Sequence, residues 1–422
     1  MTTSPDTSQS ATGTISGEQP RVLVADSFQA EGLEALEQLG CEVTFEPGCT
    51  KEELPTRLAE LEPDILVVRS SRVDSVSLHA TPRLSLVLRA GAGYDTIDIE
   101  TASAQGISVA NCPGMNAIAV AELAFGLVLS CDRRIADQTI DLRNGRWDKK
   151  GYADAAGLHG RTIGVLGLGR IGLAVIERAR AFGMKVAAWS RSLTDETAEE
   201  LGIQRCADPL ELARCSDVVS VHLAAGPGTE QFIDATFLDA MKDGAIFVNT
   251  SRGSLVDEAA LATAIESKGL RVGLDVYADE PGSGEQQFNS TISPSPPTCG
   301  THHIGASTQQ AQEAIAAEAV RVVKHYLATG DVLHCVNRAS KTAAALQLAI
   351  RHLNQPGVLS HVFDLIGESG INVEEMENVI FEGGKAACAR IQLDRELGPA
   401  ELEAVRSHPL VLSVHQTEVL ST

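Results

Sequence analysis

"RTIGVLGLGRIG", residues 161–172, decides how the chain is read. An apolar run leads into Gly167-x-Gly169-x-x-Gly172, and "LAVIERARAFG" (173–183) and "KVAAWS" (185–190) follow. A glycine triplet alone is weak evidence. Strand, glycine turn, amphipathic helix and second strand in that order make a βαβ unit. There the first glycine makes the tight turn, the second lets backbone approach a pyrophosphate, and the third allows close helix–strand packing. The helix N-terminus faces the charge. The stretch predicts a dinucleotide site at Gly167, Gly169, Arg170, Ile171 and Gly172.

The same alternation extends both ways from this unit. Upstream, "RVLVAD" (21–26), "CEVTFE" (41–46), "DILVVRS" (64–70), "LSLVLRAGAG" (84–93) and "ISVANCP" (107–113) read as strands. "EGLEALEQLG", "EELPTRLAEL" and "DIETASAQG" read as the helices between them. Strands alternating with helices argue a parallel sheet covered on both faces. A single long helix is expected from Asn116 to Asn144, after which the alternation restarts and runs to "THHIGAS". "QQAQEAIAAEAVRVVKHYLATG" (309–330) is expected to return to the first unit. From about Ala343 the order becomes β-α-β-β-α-β, a ferredoxin-like pattern. The expected fold is α/β: two doubly wound, Rossmann-like parallel-sheet domains plus a C-terminal ferredoxin-like domain. The expected boundaries are a disordered tail 1–20, a substrate domain 21–115 with 307–333, a dinucleotide domain 116–306, a linker 334–343 and the third domain 344–422.

Composition narrows the partners. The 422 residues carry 34 Lys and Arg against 56 Asp and Glu, a net charge of −22. Such a surface repels phosphate backbones and acidic lipid, so nucleic acid and membranes are poor partners. Nine scattered cysteines with no CxxC suit a reducing cytoplasm and no metal site. Residues 1–20 contain no Lys, no Arg and no apolar run, so a disordered tail rather than a signal peptide is expected there. "AIAVAELAFGLVLSC", from Ala117, contains Glu122 and is too short to cross a bilayer.

Coenzyme choice is read at the end of the second strand. An NAD site places Asp or Glu there for the ribose hydroxyls. This chain has Ser190, Arg191 and Ser192, and its next carboxylate is Asp195. An arginine there neutralises a 2′-phosphate or stacks on adenine, so NAD and NADP both stand.

Three strand ends in this unit carry the chemistry: Arg252 in "FVNTSRGSLVD", Glu280 in "GLDVYADEP", and His302 with His303 in "GTHHIGAS". Ligands bind at such C-terminal strand ends. The trio suits hydride exchange at a 2-hydroxy or 2-oxo acid. Arg252 forks onto the carboxylate, a histidine moves the hydroxyl proton, and Glu280 holds the imidazole as a neighbouring anion.

"LGLGRIG", "NTSRGSLVDEAAL", "GLDVYADEP" and "HIGAST" together resemble the D-2-hydroxyacid dehydrogenase family over about residues 21–420. The similarity is to its branch that oxidises D-3-phosphoglycerate in L-serine biosynthesis and carries a C-terminal ACT domain. It implies the catalytic set Arg252, Glu280 and His303, since the family's acid/base histidine directly precedes Ile-Gly. His302 takes a position where the family has proline. It further implies Arg69, Ser70 and Arg89 at the substrate's anionic groups, Ala92 and Gly93 in the loop whose amides take the carboxylate, and Asn116 beside the substrate. Lys149 is implied to reach the phosphate across a dimer. On the coenzyme side it implies His222 at adenine, Asp275 at the nicotinamide carboxamide, and Thr250 and Gly305 nearby. In the ACT-like domain, His352, Asn354 and Asn372 are implied to hold an L-serine effector. Glyoxylate or hydroxypyruvate reduction with NADPH, and a dinucleotide-sensing scaffold, are the competing expectations. A homo-oligomer is expected in each case.

Overall fold

Short runs of Val, Ile and Leu build two parallel sheets in the computed structural model, which describes residues 18–226, 228–281, 287–288, 290, 292, 298–339 and 342–419. The first sheet comprises β1 (Arg21–Val24), β2 (Glu42–Phe45), β3 (Ile65–Val68), β4 (Leu86–Arg89) and β5 (Ser108–Asn111). Its order is β2-β1-β3-β4-β5, all parallel. The second comprises β6 (Thr162–Leu166), β7 (Lys185–Trp189), β8 (Gln204–Arg205), β9 (Val218–Val221), β10 (Ile246–Asn249), β11 (Arg271–Leu274) and β12 (Thr298–Gly300). Its order is β12-β11-β10-β9-β6-β7-β8, again parallel. Both are doubly wound orders that reverse direction from their first strand, and ligands bind at that reversal. Every residue of β3, β9 and β10 is buried, as helices on both faces require.

The expected long helix is instead two. Ala117–Arg133 and Ile135–Arg143 meet at Arg134, whose backbone is left-handed (φ 51°, ψ 45°). Arg134 lies over the Tyr152 ring at 4.6 Å and its Nε donates to Asp137 at 3.1 Å, contacts that offset the strained backbone. The first of these helices packs against β10, β11 and the helix Arg170–Ala181 through Ala121, Ala124, Leu127 and Val128. The helix Gln309–Thr329 returns to the first sheet as expected, seating Ile315, Ala319, Val322 and Val323 on Val22, Val24 and Leu88.

The chain divides after Asn337, inside the expected linker. The second unit holds β13 (Leu346–Leu353), β14 (Val373–Ile380), β15 (Ala386–Leu393) and β16 (Val411–Glu418) in an antiparallel sheet ordered β14-β15-β13-β16. Helices Val358–Glu368 and Pro399–Ser407 complete the βαββαβ order. Alternate residues of β15 (Ala387, Ala389, Ile391, Leu393) face its core with Val362, Ile366 and Val405. Most of the expected tail, residues 1–17, lies outside the described residues, as do 340–341 of the linker and 420–422. Glu18, also within the expected tail, pairs with Arg83 at 3.0 Å.

Candidate active site

The glycine turn after β6 is shaped by contacts that no side chain would tolerate. Gly167 has φ +102°, and a Cβ there would sit 2.5 Å from the His222 carbonyl oxygen. A Cβ at Gly172 would lie 2.1 Å from the Gly167 carbonyl oxygen. Gly169, by contrast, faces open space and caps the helix Arg170–Ala181 without a side-chain bond. That leaves first-turn amides for an anion. Arg170 reaches the Pro113 carbonyl in the other lobe.

Two polar atoms beside this turn are buried with no partner, His222 Nδ1 and Thr250 Oγ1. His222 Nε2 meets Ser220 Oγ at 2.8 Å, and burial lowers the imidazole pKa to about 4, so the ring is neutral. A glycine cradle, orphaned helix amides and two unsatisfied polar atoms fit a bound dinucleotide. Ser190 directly follows β7 and is half-buried. Arg191 is exposed, with no hydrogen bond or ion pair among the described residues. Arg205 stands nearby, its Nε donating to the Leu193 carbonyl at 2.9 Å.

Of the catalytic candidates, His303 and Glu280 are in contact. His303 Nδ1 lies 2.6 Å from Glu280 Oε1. With Nδ1 bonded to a carboxylate, Nε2 is the ring nitrogen left for a substrate. His303 has a left-handed backbone, φ 53°, and its amide donates to the Asp275 carbonyl at 2.8 Å. His302 is exposed.

Asp275, expected at the nicotinamide carboxamide, is tied to the histidine loop. It is 1% exposed. Its Oδ1 accepts from the Thr301 hydroxyl (2.6 Å) and the Ile304 amide (2.9 Å), and its Oδ2 from the Gly305 amide (2.9 Å). The histidine loop is therefore wrapped around one buried carboxylate.

Arg252 sits on a second supported loop. Asn249 Nδ2 donates to the Arg252 carbonyl at 2.8 Å, and the Ser251 amide donates to Asn249 Oδ1 at 3.0 Å. Gly253 packs against the backbone of Tyr277 and Ala278, the segment leading to Glu280; a Cβ there would meet it at 2.0 Å. The guanidinium crosses to the first lobe, lies over Gly93, and pairs with Asp95 at 3.1 Å.

In the first lobe, Arg89 ends β4 and folds over Gly91, its Nε buried without a partner. Burial first, and then the nearby Arg252 cation, bring its pKa down to about 10. Arg69 follows β3, whose last residue Val68 pairs with Arg89, so the two arginines leave neighbouring strand ends. The loop of Arg69 and Ser70 is held by Asp26, whose Oδ2 accepts the amides of Arg69, Ser70 and Ser71 at 2.7–2.9 Å. Asn111 Nδ2 donates to the Ala92 carbonyl at 2.6 Å and fixes the glycine loop. Asn116 opens the helix Ala117–Arg133 with Oδ1 buried and unpartnered.

Lys149 is not brought to these arginines within its own chain. It is exposed, two residues before Gly151, whose carbonyl contacts Arg134. Arg134 ends a 17-residue helix that begins at the site, roughly 25 Å away at 1.5 Å per residue. Asp26, Asp95, Asn111 and Asn249 were not singled out from sequence. Asp26, Asp95 and Asn111 act through partners that the fold brings from 19 to 157 residues away, and Asn249 through its own loop.

In the second unit, His352 is buried with Nδ1 2.8 Å from the Leu353 carbonyl and Nε2 3.3 Å from Asn378 Oδ1. Asn354 bonds the Gly384 carbonyl, just before β15, whereas the Asn372 amide bonds Asp394, just after it. β15 has 8 residues, so the two asparagines stand roughly 24 Å apart at 3.4 Å per residue. One copy does not bring the expected effector trio together.

The profile described as "D-isomer specific 2-hydroxyacid dehydrogenase, NAD binding domain" matches residues 125–338, half of the chain. D-3-phosphoglycerate dehydrogenase of Methanocaldococcus jannaschii is 38% identical over 308 residues, 72% of this chain and 57% of that one. The chain thus spans under three fifths of the length of the first curated relatives it matches. Hydroxypyruvate reductase of Thermotoga maritima is 38% identical over 310 residues, 72% of this chain and 97% of that one. Among solved structures, an NADPH-dependent glyoxylate/hydroxypyruvate reductase from Sinorhizobium meliloti, in complex with NADP and malonate, superposes with TM-score 0.65 at 29% identity, over 76% of this chain and 97% of that one. With the glycine cradle and the Arg252, Glu280 and His303 cluster in place, the chain belongs to the D-isomer specific 2-hydroxyacid dehydrogenases, a family built on an NAD-binding domain.

Proposed function

We propose that the chain oxidises D-3-phosphoglycerate to 3-phosphohydroxypyruvate with NAD or NADP, the first step of phosphorylated L-serine synthesis. The observation that carries this is the placing of three arginines on adjoining segments: Val68, which precedes Arg69, pairs with Arg89, and Arg89 and Arg252 fold over Gly91 and Gly93 of one loop. A single carboxylate needs one guanidinium fork. Three cations suit a substrate with a carboxylate and a second, more highly charged group. Relatives named D-3-phosphoglycerate dehydrogenase support the same choice.

The chemistry follows from the chain's own groups. Arg252 binds the carboxylate and orients the 2-carbon. His303 Nε2 accepts the hydroxyl proton, and Glu280 stabilises the resulting imidazolium through Nδ1. The nicotinamide, when bound, supplies the hydride acceptor. In the reverse direction His303 returns the proton to the carbonyl oxygen.

A second reading, reduction of hydroxypyruvate or glyoxylate with NADPH, draws on the unpaired Arg191 at the end of β7 and on the reductase relatives. Initial rates with 3-phosphoglycerate, hydroxypyruvate and glyoxylate against both coenzymes decide between the two. Phosphoglycerate turnover no faster than that of an unphosphorylated acid overturns the first.

The C-terminal unit acts, in this reading, as an ACT domain that binds L-serine between two copies of the chain. His352 and Asn354 of one copy would meet Asn372 of the other. The separation of Asn354 from Asn372 along β15 favours a shared site over an internal one.

A further inference from the structure

Arg252 is held on two of its three sides. Its Nε and Nη2 approach the two oxygens of Asp95 at 3.4 and 3.1 Å, a side-on fork. Its Nη1 donates to the Ser251 carbonyl at 2.7 Å, next to its own backbone. The end of the guanidinium keeps one N–H on each terminal nitrogen. That pair matches a carboxylate's two oxygens.

Asp95 and Arg252 are 157 residues apart and belong to different lobes. Asp95 follows the glycine loop of the first lobe, and Arg252 follows β10 of the second. The ion pair spans the cleft in which the substrate reacts. It is too exposed to matter much for stability, since Asp95 keeps 59% of its side-chain surface in water. Its geometry is nonetheless demanding. Arg252 Nη2 lies where a Cβ on Gly93 would stand, at 1.8 Å, so only glycine admits it. Arg89, a half-buried cation, folds over Gly91 of the same loop and repels Arg252. A guanidinium placed against another cation needs an anion to hold it there. The Arg252 cation in turn keeps the Asp95 carboxyl below its usual range, against the opposing effect of burial.

We propose that Asp95 is a positioning residue, which clasps Arg252 side-on across the cleft and aims the free end of its guanidinium at the substrate carboxylate. The proposal rests on the reading of Arg252 as the carboxylate-binding group. It assigns Asp95 no proton transfer and no direct substrate contact.

The test uses the full-length chain with Asp95→Ala, Asp95→Asn and Asp95→Glu, and two independent readouts. The first is KM and kcat for the turned-over acid. The second is calorimetric titration of oxalate, a plain dicarboxylate, into coenzyme-loaded protein. Coenzyme affinity, followed by the fluorescence of the reduced nicotinamide, checks that each variant is folded. We expect Ala and Asn to raise KM and oxalate Kd on the order of ten-fold or more, within the hundredfold that an ångström of misplacement costs. The change in kcat should be smaller and the coenzyme Kd unchanged, with Glu restoring part of the loss. Unchanged KM and oxalate Kd in an active enzyme overturn the proposal and leave the function standing. A lowered KM overturns it too, by showing that Asp95 competes for Arg252. If the wild type turns over no such acid, the functional reading fails and the oxalate titration still decides the role of Asp95. A wild type that neither turns over acid nor binds oxalate overturns both.

Discussion

His303 and Glu280 are joined by one short contact, Nδ1 to Oε1 at 2.6 Å, and that contact decides which of two adjacent histidines faces the chemistry. Both histidines are exposed, and of the two it is His303, with its left-handed backbone (φ 53°), whose ring is held by Glu280.

His303→Ala should lower kcat by about 10²–10⁴-fold, the usual value of a positioned acid–base group. That is about 3–5 kcal/mol of transition-state stabilisation. His302→Pro should keep most of the activity. Steady-state rates of the two variants check this, and equal losses would reverse the assignment.

Asp275 supports that turn from below, so its neutral isostere should be nearly as damaging. Asp275→Asn replaces one acceptor oxygen by an NH2 that faces either the Gly305 amide or the Thr301 and Ile304 donors. Leaving buried donors unpaired costs about 1–3 kcal/mol each. We expect a lower Tm together with reduced kcat. A variant with normal Tm and reduced affinity only for the coenzyme would instead favour a direct nicotinamide contact.

How far these relations were legible in sequence follows from how local they are. The glycine turn at 167–172 was readable because strand, turn and helix are contiguous. So was the βαββαβ order of the C-terminal unit, from alternation and turn residues. The break at Arg134 was not, because its left-handed backbone depends on Tyr152, reached only after the chain doubles back. Asp26 and Asp275 lie within quoted motifs and Asp95 two residues past one, yet the partners of Asp26 and Asp95 lie 43–157 residues away, and the loop around Asp275 closes from 26–30 residues on. A carboxylate in a loop reads as solvated until the fold shows what it accepts.

Ser190→Asp should move coenzyme preference toward NAD. Ser190 directly follows β7, where a carboxylate would accept from free ribose hydroxyls and repel a 2′-phosphate. Arg191 is beside it and unpaired. The measure is the ratio of kcat/KM for NAD and NADP in both proteins. A wild type with no measurable NADP rate would remove Arg191 as a phosphate contact.

The buried His222 should make the fold sensitive to acid. Burial holds its pKa at about 4, below the ordinary value of about 6.5 that applies once the chain unfolds. Between those values the unfolded chain binds a proton that the folded chain does not. Stability therefore falls as pH drops from 6.5 to 4, by about 3 kcal/mol from this group, with no further loss below. Thermal unfolding of the wild type and His222→Leu over that range tests this. The variant starts lower, because Ser220 loses its partner, but should show a shallower acid slope. Parallel slopes would mean that His222 is protonated in the folded state.

L-Serine control is expected to reside in the C-terminal unit. Asn354 and Asn372 stand at opposite ends of β15, so an amino acid held by both must lie between two chains. Binding there favours whichever arrangement of the chains brings those ends together. The cleft containing Arg252 and His303 lies between two lobes that must close for reaction, so fixing the subunits can hold it open. L-Serine should then lower the rate with a coupling of about 1–3 kcal/mol. Asn354→Ala and Asn372→Ala should each abolish inhibition and leave the uninhibited rate nearly unchanged, since neither belongs to the unit that holds Arg252 and His303. Because the site is shared, mixing the two variants should restore part of the inhibition, as some interfaces in the mixed oligomer pair an intact Asn354 with an intact Asn372. Calorimetry showing no serine binding to the wild type at millimolar concentration would leave the C-terminal unit without an effector role. Inhibition that survives in both variants would place the serine elsewhere.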